Sequence, residues 1–337
     1  MWKRGVLVRR LVVLAGLLAP LLAHPAGEDC GDCHTREHQA WASSRHARAS
    51  SNPTFRVAFE AGPRAWCLTC HAPLSARQGR NALADGVSCA ACHLRGDTVL
   101  SARAPSEAAL SIHPVVEEPR LRTADFCAQC HQFDAPVRAP LEHEDRFVPS
   151  GVAMQDTLSE WRASSFAPAT SCQGCHMRDG SHAFPGGHDA ELVRGALEVE
   201  VRAVDKTRVL VTVRSRGVGH ALPTGDPYRR LRLTLCADAD CKLVLGSAVF
   251  QRSLESTARA FRLAEDTRVP PPTAATPVPS RTLEIPLAAP LPPGATWRLV
   301  RHHADPRHEP RLPPEEVFLE VARGPVSFDT AAPTRAP

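Results

Sequence analysis

Five short stretches of this chain carry cysteine and histidine at one fixed spacing: CGDCH (Cys30–His34), CLTCH (Cys67–His71), CAACH (Cys89–His93), CAQCH (Cys127–His131) and CQGCH (Cys172–His176). Two thiols three residues apart sit on one side of a helical turn, and the next residue's imidazole falls on that same side. The arrangement suits thioether formation with the two vinyl groups of one haem, the adjacent histidine binding the iron. Zinc competes, because paired CxxC units build four-cysteine sites. A zinc ribbon has no use for a histidine directly after every pair, however, and no βαβ pattern supports a redox CxxC. The expectation is therefore five covalently attached c-type haems. Their thioethers come from Cys30, Cys33, Cys67, Cys70, Cys89, Cys92, Cys127, Cys130, Cys172 and Cys175, and their proximal iron ligands are His34, His71, His93, His131 and His176. So many macrocycles between residues 30 and 176 must form much of that region's interior.

The second face of each haem decides what it does. An imidazole there makes a low-spin electron carrier, whereas an open face offers a place for chemistry. Candidates are His46, His113, His143, His182 and His188, with His220 on the loop GHALPTGDP further on. His143 lies among acids in LEHEDR and reads equally well as a solvated surface residue. His38, His302, His303 and His308 read as surface residues. No residue is assigned a catalytic role.

The series CGDCHTREHQAWASSRHARA, WCLTCHAP, DGVSCAACHLRG and DFCAQCH, between residues 28 and 134, resembles the cytochrome c-554 family. Those proteins are tetrahaem electron carriers, related in haem packing to hydroxylamine oxidoreductase and the pentahaem nitrite reductases. The resemblance implies that His46 ligates the iron of His131. It also implies that His113 pairs with His34, across a longer gap than the family's, and that the haem of His71 lacks a protein sixth ligand. SCQGCHMRDGSHAFPGGHD resembles the last motif of the pentahaem nitrite reductases, which implies His182 or His188 as second ligand for the haem of His93 or of His176. Two absences separate the chain from the enzymes it resembles. The nitrite reductases use CxxCK at their catalytic haem, and here no lysine lies between Arg4 and Asp205. Hydroxylamine oxidoreductases cross-link a tyrosine to their active haem, and the single tyrosine, Tyr228, lies outside the motif region.

These residues sit in a chain whose pattern changes near residue 190. Lys3, Arg4, Arg9 and Arg10 precede the apolar run Leu11–Ala23, a signal peptide by its short hydrophobic stretch and basic start. The four basic residues of this leader account for the whole formal charge of +4, so the remaining chain is neutral and nothing points to nucleic acid. The segment that follows, rich in Ala, Arg, His and Pro, reads as short helices and loops, for example Thr35–Ala49 and Asp156–Ser164. From ALEVEVRAV onward, period-two alternation recurs in TRVLVTVRS, RLRLTL, KLVLGSAVF, RTLEIPL and TWRLVRH, the mark of an antiparallel sandwich. PPEEVFLEVARG starts like a helix and also alternates. Cys236 and Cys241 bracket a turn and read as a disulfide in an exported protein.

The expected fold class is α + β multidomain: a signal peptide over 1–26, a mostly helical, loop-rich multihaem cytochrome domain over 27–190, and an antiparallel β-sandwich domain over 191–337. The expected protein is exported to the periplasm or beyond and relays electrons through mainly bis-histidine haems. Its partner would be a redox protein or a quinol-linked membrane complex, or it would belong to a multihaem assembly. The alternative is an oxidoreductase acting on a small nitrogen or oxygen compound at one open haem.

Overall fold

Every CxxCH occupies a short helix whose axis ends at or just before the histidine: Cys30–Cys33, Leu68–His71, Cys89–His93, Ala124–His131 and Cys172–His176. The computed structural model describes residues 30–75, 84, 86–138, 147–257 and 260–328. The signal peptide expected over 1–26 and the candidate His143 lie outside these residues. Among the described residues, no helix is long and apolar enough to cross a membrane.

Loops and small sheets join the motif helices. The strand pair β1 (Leu94–Arg95) and β2 (Thr98–Ser101) turns tightly through Gly96, whose φ of +59 is the left-handed conformation such hairpins need. β3 (Val115–Glu117) joins β2 in parallel. After the fourth motif, β4 (Gln132–Arg138) and β5 (Phe147–Asp156) form an irregular antiparallel pair. The expectation of a mostly helical region is thereby corrected, since five strands lie within it; over the described residues strand exceeds helix, about 32% against 28%. The reason is local: the segments leaving the third and fourth motifs carry β-branched residues and turn glycines, which favour hairpins over helices.

The later strands are β6 (Leu197–Ala203), β7 (Arg208–Ser215), β8 (Arg230–Cys236), β9 (Val244–Phe250), β10 (Arg252–Ser256), β11 (Phe261–Asp266), β12 (Ser280–Pro286), β13 (Thr296–His302), β14 (Phe318–Pro325) and β15 (Ser327–Phe328). They form two four-stranded sheets, β12-β7-β6-β15 and β14-β13-β8-β9, with β10 and β11 as a separate hairpin. All pairs in the two sheets are antiparallel except β15 with β6. Alternation decides which side faces in: Val209, Val211 and Val213 of one sheet meet Leu231, Leu233, Leu235 and Leu299 of the other, all fully buried. PPEEVFLEVARG satisfies both of its signals, a helical turn at Pro314–Val317 running into β14. The Cys236–Cys241 disulfide is present and closes the turn after β8.

The apolar clusters are unevenly placed. The large one is confined to Val193 and residues beyond it, and the small one, Ala304, Leu312 and Val317, takes from the motif region only the half-buried Val57. Among the described residues, the five-motif region therefore builds no aliphatic core of its own.

A buried ion pair joins the two parts. Glu160, on the helix Thr157–Arg162, accepts from Arg268 Nη1 at 2.6 Å, from the Thr224 hydroxyl at 2.6 Å and from the Ala221 amide at 3.2 Å. Both charged side chains are under a tenth exposed, Glu160 at 8% and Arg268 at 6%. Arg268 is also held by Asp266 at 2.7 Å. Removing one partner of such a pair strands the other in a poorly solvated place. Glu160→Ala is expected to cost about 3 kcal/mol, the low end of the buried-pair range because Asp266 still holds Arg268. Glu160→Gln, which keeps the neutral hydrogen bonds, should cost less; denaturant melts of the two variants check the order.

Candidate functional site

Three of the five motif histidines are aimed by backbone carbonyls. His71 donates through Nδ1 to Ala49 O at 2.8 Å, His93 to Leu100 O at 2.9 Å and His176 to Pro185 O at 2.7 Å. A carbonyl can only accept, so each of these rings carries its proton on Nδ1 and leaves the Nε2 lone pair free for a metal. The hairpin β1–β2 exists at this position to bring Leu100 O to His93. His182 and His220 follow the same rule, donating through Nδ1 to Gly180 O and Ala221 O, each at 2.9 Å.

Three pairs of imidazoles face one another. His46 and His131 have ring centres 6.2 Å apart, His93 and His182 6.1 Å, and His176 and His220 6.4 Å with planes only 8° from parallel. Two imidazoles bound end-on to one metal, at about 2.0–2.1 Å each, place their ring centres roughly 6–6.5 Å apart. In each pair one member is the histidine of a CxxCH. Burial pushes the His46 imidazole down to about 4, so at ordinary pH it is the neutral form that a metal ligand requires.

His46 owes its place to a turn. The helix Thr35–Ala42 stops earlier than the sequence suggests, where the Ser44 amide turns back to Trp41 O at 2.8 Å. Trp41 Nε1 donates to Val87 O at 2.8 Å, and the Val87 amide donates to His46 O at 2.9 Å. Gly86 lies against this turn at φ +61; a Cβ there would stand 2.6 Å from His46 O and 2.7 Å from Ala47 O. Phe184, itself at φ +47, sets its ring edge-on to His46 at 4.3 Å and to His182 at 5.8 Å. Sequence reasoning missed Phe184, whose role depends on a backbone conformation rare for a bulky residue.

It also missed a repeat. Trp161-Arg162-Ala163-Ser164-Ser165-Phe166-Ala167 copies Trp41-Ala42-Ser43-Ser44-Arg45-His46-Ala47. Trp161 Nε1 donates to Thr170 O at 2.8 Å, and the Ser164 amide to Trp161 O at 2.9 Å. Val87 and Thr170 each stand two residues before the first cysteine of a motif, so each turn docks one CxxCH helix. In the second copy Phe166 stands where His46 stands, packed on Gly219, and the adjacent His220 faces His176 instead. A tryptophan–serine spacing repeated before VSCAACH and TSCQGCH was the available signal.

The remaining candidates divide. His188 does not stand beside His93 or His176: it stacks on His303 at 3.9 Å, and Arg45 Nη2 lies 2.9 Å from its Nε2. His303, expected at the surface, is 7% exposed, because the end of β13 turns inward under the 186–188 loop. His113 is half-buried with Nδ1 unpartnered, and among the described ring contacts it does not meet His34. His71 stacks on Phe55 at 4.1 Å and, among the same contacts, faces no second histidine.

Thiols of different motifs meet as well: Cys30 with Cys89, Cys70 with Cys130, and Cys127 with Cys172, while Cys92 acts electrostatically on Cys127 and Cys130. The five attachment points thus form one connected group. A haem fits this setting on four counts: the thiol pairs, the aimed imidazoles, the missing aliphatic core, and buried polar atoms left without partners at Trp66 Nε1, His113 Nδ1, Arg301 Nε and His303 Nδ1.

Residues 29–94 match the family described as cytochrome c554 and c-prime. The fold is similar to the crystal structure of a penta-heme cytochrome c552 from Thermochromatium tepidum, with 23% identity and a TM-score of 0.67, over 90% of this chain and 99% of that one. No curated protein matches. The chain thus shares the fold of a penta-heme cytochrome, and its residues 29–94, which hold three of the five CxxCH motifs, carry the pattern of a cytochrome family.

If His46 and His131 share an iron, His46→Ala turns the haem of Cys127 and Cys130 high-spin and leaves that of Cys30 and Cys33 unchanged. Electron paramagnetic resonance of the holoprotein reads this directly, and an unaltered low-spin signal would remove His46 from the ligand set. Gly86→Ala should produce the same spectral change more weakly, since its new methyl pushes on the His46 backbone rather than deleting the ring.

Proposed function

We propose that the chain carries five haems, one on each CxxCH, and relays electrons through them as an exported cytochrome. The observation that carries this reading is the three imidazole pairs at 6.1, 6.2 and 6.4 Å, each joining a motif histidine to one from elsewhere in the chain. Bound haem supplies a one-electron couple whose potential follows its axial ligands and surroundings. The chain's own residues hold both faces of such a couple fixed. Carbonyls keep the Nδ1 protons in place, and the Trp41 and Trp161 turns lock two motif helices to the strand or loop that faces them. A carrier whose ligands are so constrained does not exchange them between oxidation states. The contacts among thiols of different motifs support one continuous run of haems.

In this reading residues 27–190 hold the haems and 191–337 form the sandwich, which lends His220 to the fifth haem through the Glu160 junction. Residues 1–26 would be removed on export to the periplasm or cell exterior, and a redox protein or a quinol-linked membrane complex would deliver or accept the electrons. His113 is the candidate second ligand for the haem of His34.

One observation favours a second reading at one centre. Neither His71 nor His34 faces an imidazole among the described ring contacts; His113 is the candidate for the second, so the haem of His71 is the one with no candidate from the chain, and a small nitrogen or oxygen compound could react there. A haemochrome assay should return five haems per chain; a count near three or fewer would sink the five-haem proposal. Spin state then separates the readings. Low-spin signals from every haem, unmoved by added hydroxylamine, leave a pure carrier. A high-spin component that hydroxylamine shifts, that persists in His46→Ala beside a new one and that is unchanged in His113→Ala, assigns the open site to the haem of Cys67 and Cys70.

A further inference from the structure

Arg301 is an unusual residue for the end of a β-strand. It is 4% exposed, its Nε has no hydrogen-bond partner, and among the described residues no carboxylate lies within ion-pair distance. Its guanidinium occupies the space a side chain at residue 187 would take, which is why that position is Gly187. Two residues on, His303 is equally enclosed, with Nδ1 unpartnered and its ring stacked on His188 at 3.9 Å. Arg45 borders the same group through His188 but is already held by Glu316 at 2.6 and 2.9 Å. Arg229 closes the group from the β8 side. It acts electrostatically on Arg301, His303, His188, His131 and His71, and the acid acting on it is Asp226. Burial and the neighbouring Arg229 push Arg301 down to about 9, yet it remains a cation at neutral pH.

The buried Arg301 and the half-buried Arg229 act on each other with one acid, Asp226, acting on the second, which leaves an uncompensated positive charge. Such a charge is strongly unfavourable unless an anion answers it. A guanidinium presents its donors in a planar fork that matches two oxygens of one anion, which a lysine does not. The unpartnered His303 Nδ1 adds a third donor at the same place.

We propose that Arg301, Arg229 and His303 form a buried cradle for a carboxylate or small oxyanion, at the seam between the haem-bearing segments and β13. The anion has two sources with the same chemistry: a propionate of one of the chain's own haems, for which the proposal rests on the haem reading, or a free oxyanion of similar size. The cradle would set the charge felt by the centres around it, those of His71 and His131 being the ones Arg229 reaches.

The test uses holoprotein at fixed ionic strength. Midpoint potentials are measured haem by haem in wild type, Arg301→Gln and Arg301→Lys, with and without sodium formate as the probe anion. If a propionate sits in the cradle, Arg301→Gln lowers the potential of one haem, because a compensating cation is lost. Arg301→Lys retains much of the wild-type value, and formate has no effect on wild type. If the anion is free, formate shifts the spectrum or potential of wild type saturably, and Arg301→Gln weakens that response at least tenfold. Wild-type potentials in Arg301→Gln, at five haems per chain, together with a wild type blind to formate, overturn the cradle. A haem count well below five overturns the haem reading instead, and the two failures are told apart by the haemochrome assay on the same samples. Should Arg301→Gln not assemble, Arg229→Gln, which removes the other cation of the group, is read in the same way and by the same criteria.

Discussion

The constraint on which the rest depends is that the described residues between 30 and 188 enclose no aliphatic core of their own. Buried apolar side chains there, such as Leu100, Leu121 and Leu158, stand singly, whereas the sandwich gathers some twenty into one cluster. A region of that size gains too little from its own apolar surface to offset the entropy of ordering it. Its order has to come from elsewhere: from a well-packed neighbour and, on the proposed reading, from haems anchored at the ten motif cysteines and held between paired histidines. This explains why so much of the region's hydrogen bonding holds imidazoles and motif helices rather than long regular elements.

The sandwich supplies the neighbour. Its sheets close on a conventional core, and its loops reach back with Glu160's partners Arg268, Thr224 and Ala221, the last of these adjoining His220. The same ion pair that ties the two parts together also fixes the loop that faces the fifth motif. Packing and ligand placement are thus one problem here, and a change that loosens the junction acts on both. The basic group around Arg301 belongs to the same seam, where the strand end of the sandwich enters the space among the motif histidines.

The two Trp–Ser turns show how one local device serves different ends. Each spends a tryptophan N–H on the carbonyl two residues ahead of a CxxCH and thereby orients that helix. The first turn carries a histidine on its outer side, placed opposite His131; the second carries Phe166 there, and His220 stands next to it. One substitution in a shared frame changes whether the turn offers a ligand or merely a packing surface.

Much of this was legible in the residues alone. The thioether and proximal positions follow from a spacing of three and four residues, which a single helical turn converts into geometry whatever surrounds it. The sandwich strands from Leu197 to His302 were visible for an equally local reason, since alternation records which face is buried. The pairings of His93 with His182 and of His176 with His220 were open among alternatives, Phe184 and Arg301 passed unnoticed, and His303 was read as a surface residue. No local pattern encodes them. They depend on where loops distant in the chain come together, on a phenylalanine held at positive φ, and on a strand end turned inward. The small sheets β1 to β5 were missed as well, because their strands are short or irregular; of them β2 supports a histidine, His93, through Leu100 O. The sequence by itself determined where the cysteine–histidine motifs lie and which atoms they offer, because their spacing is local; which imidazole meets which was decided only by the tertiary structure, because each pair is closed by segments far apart in the chain.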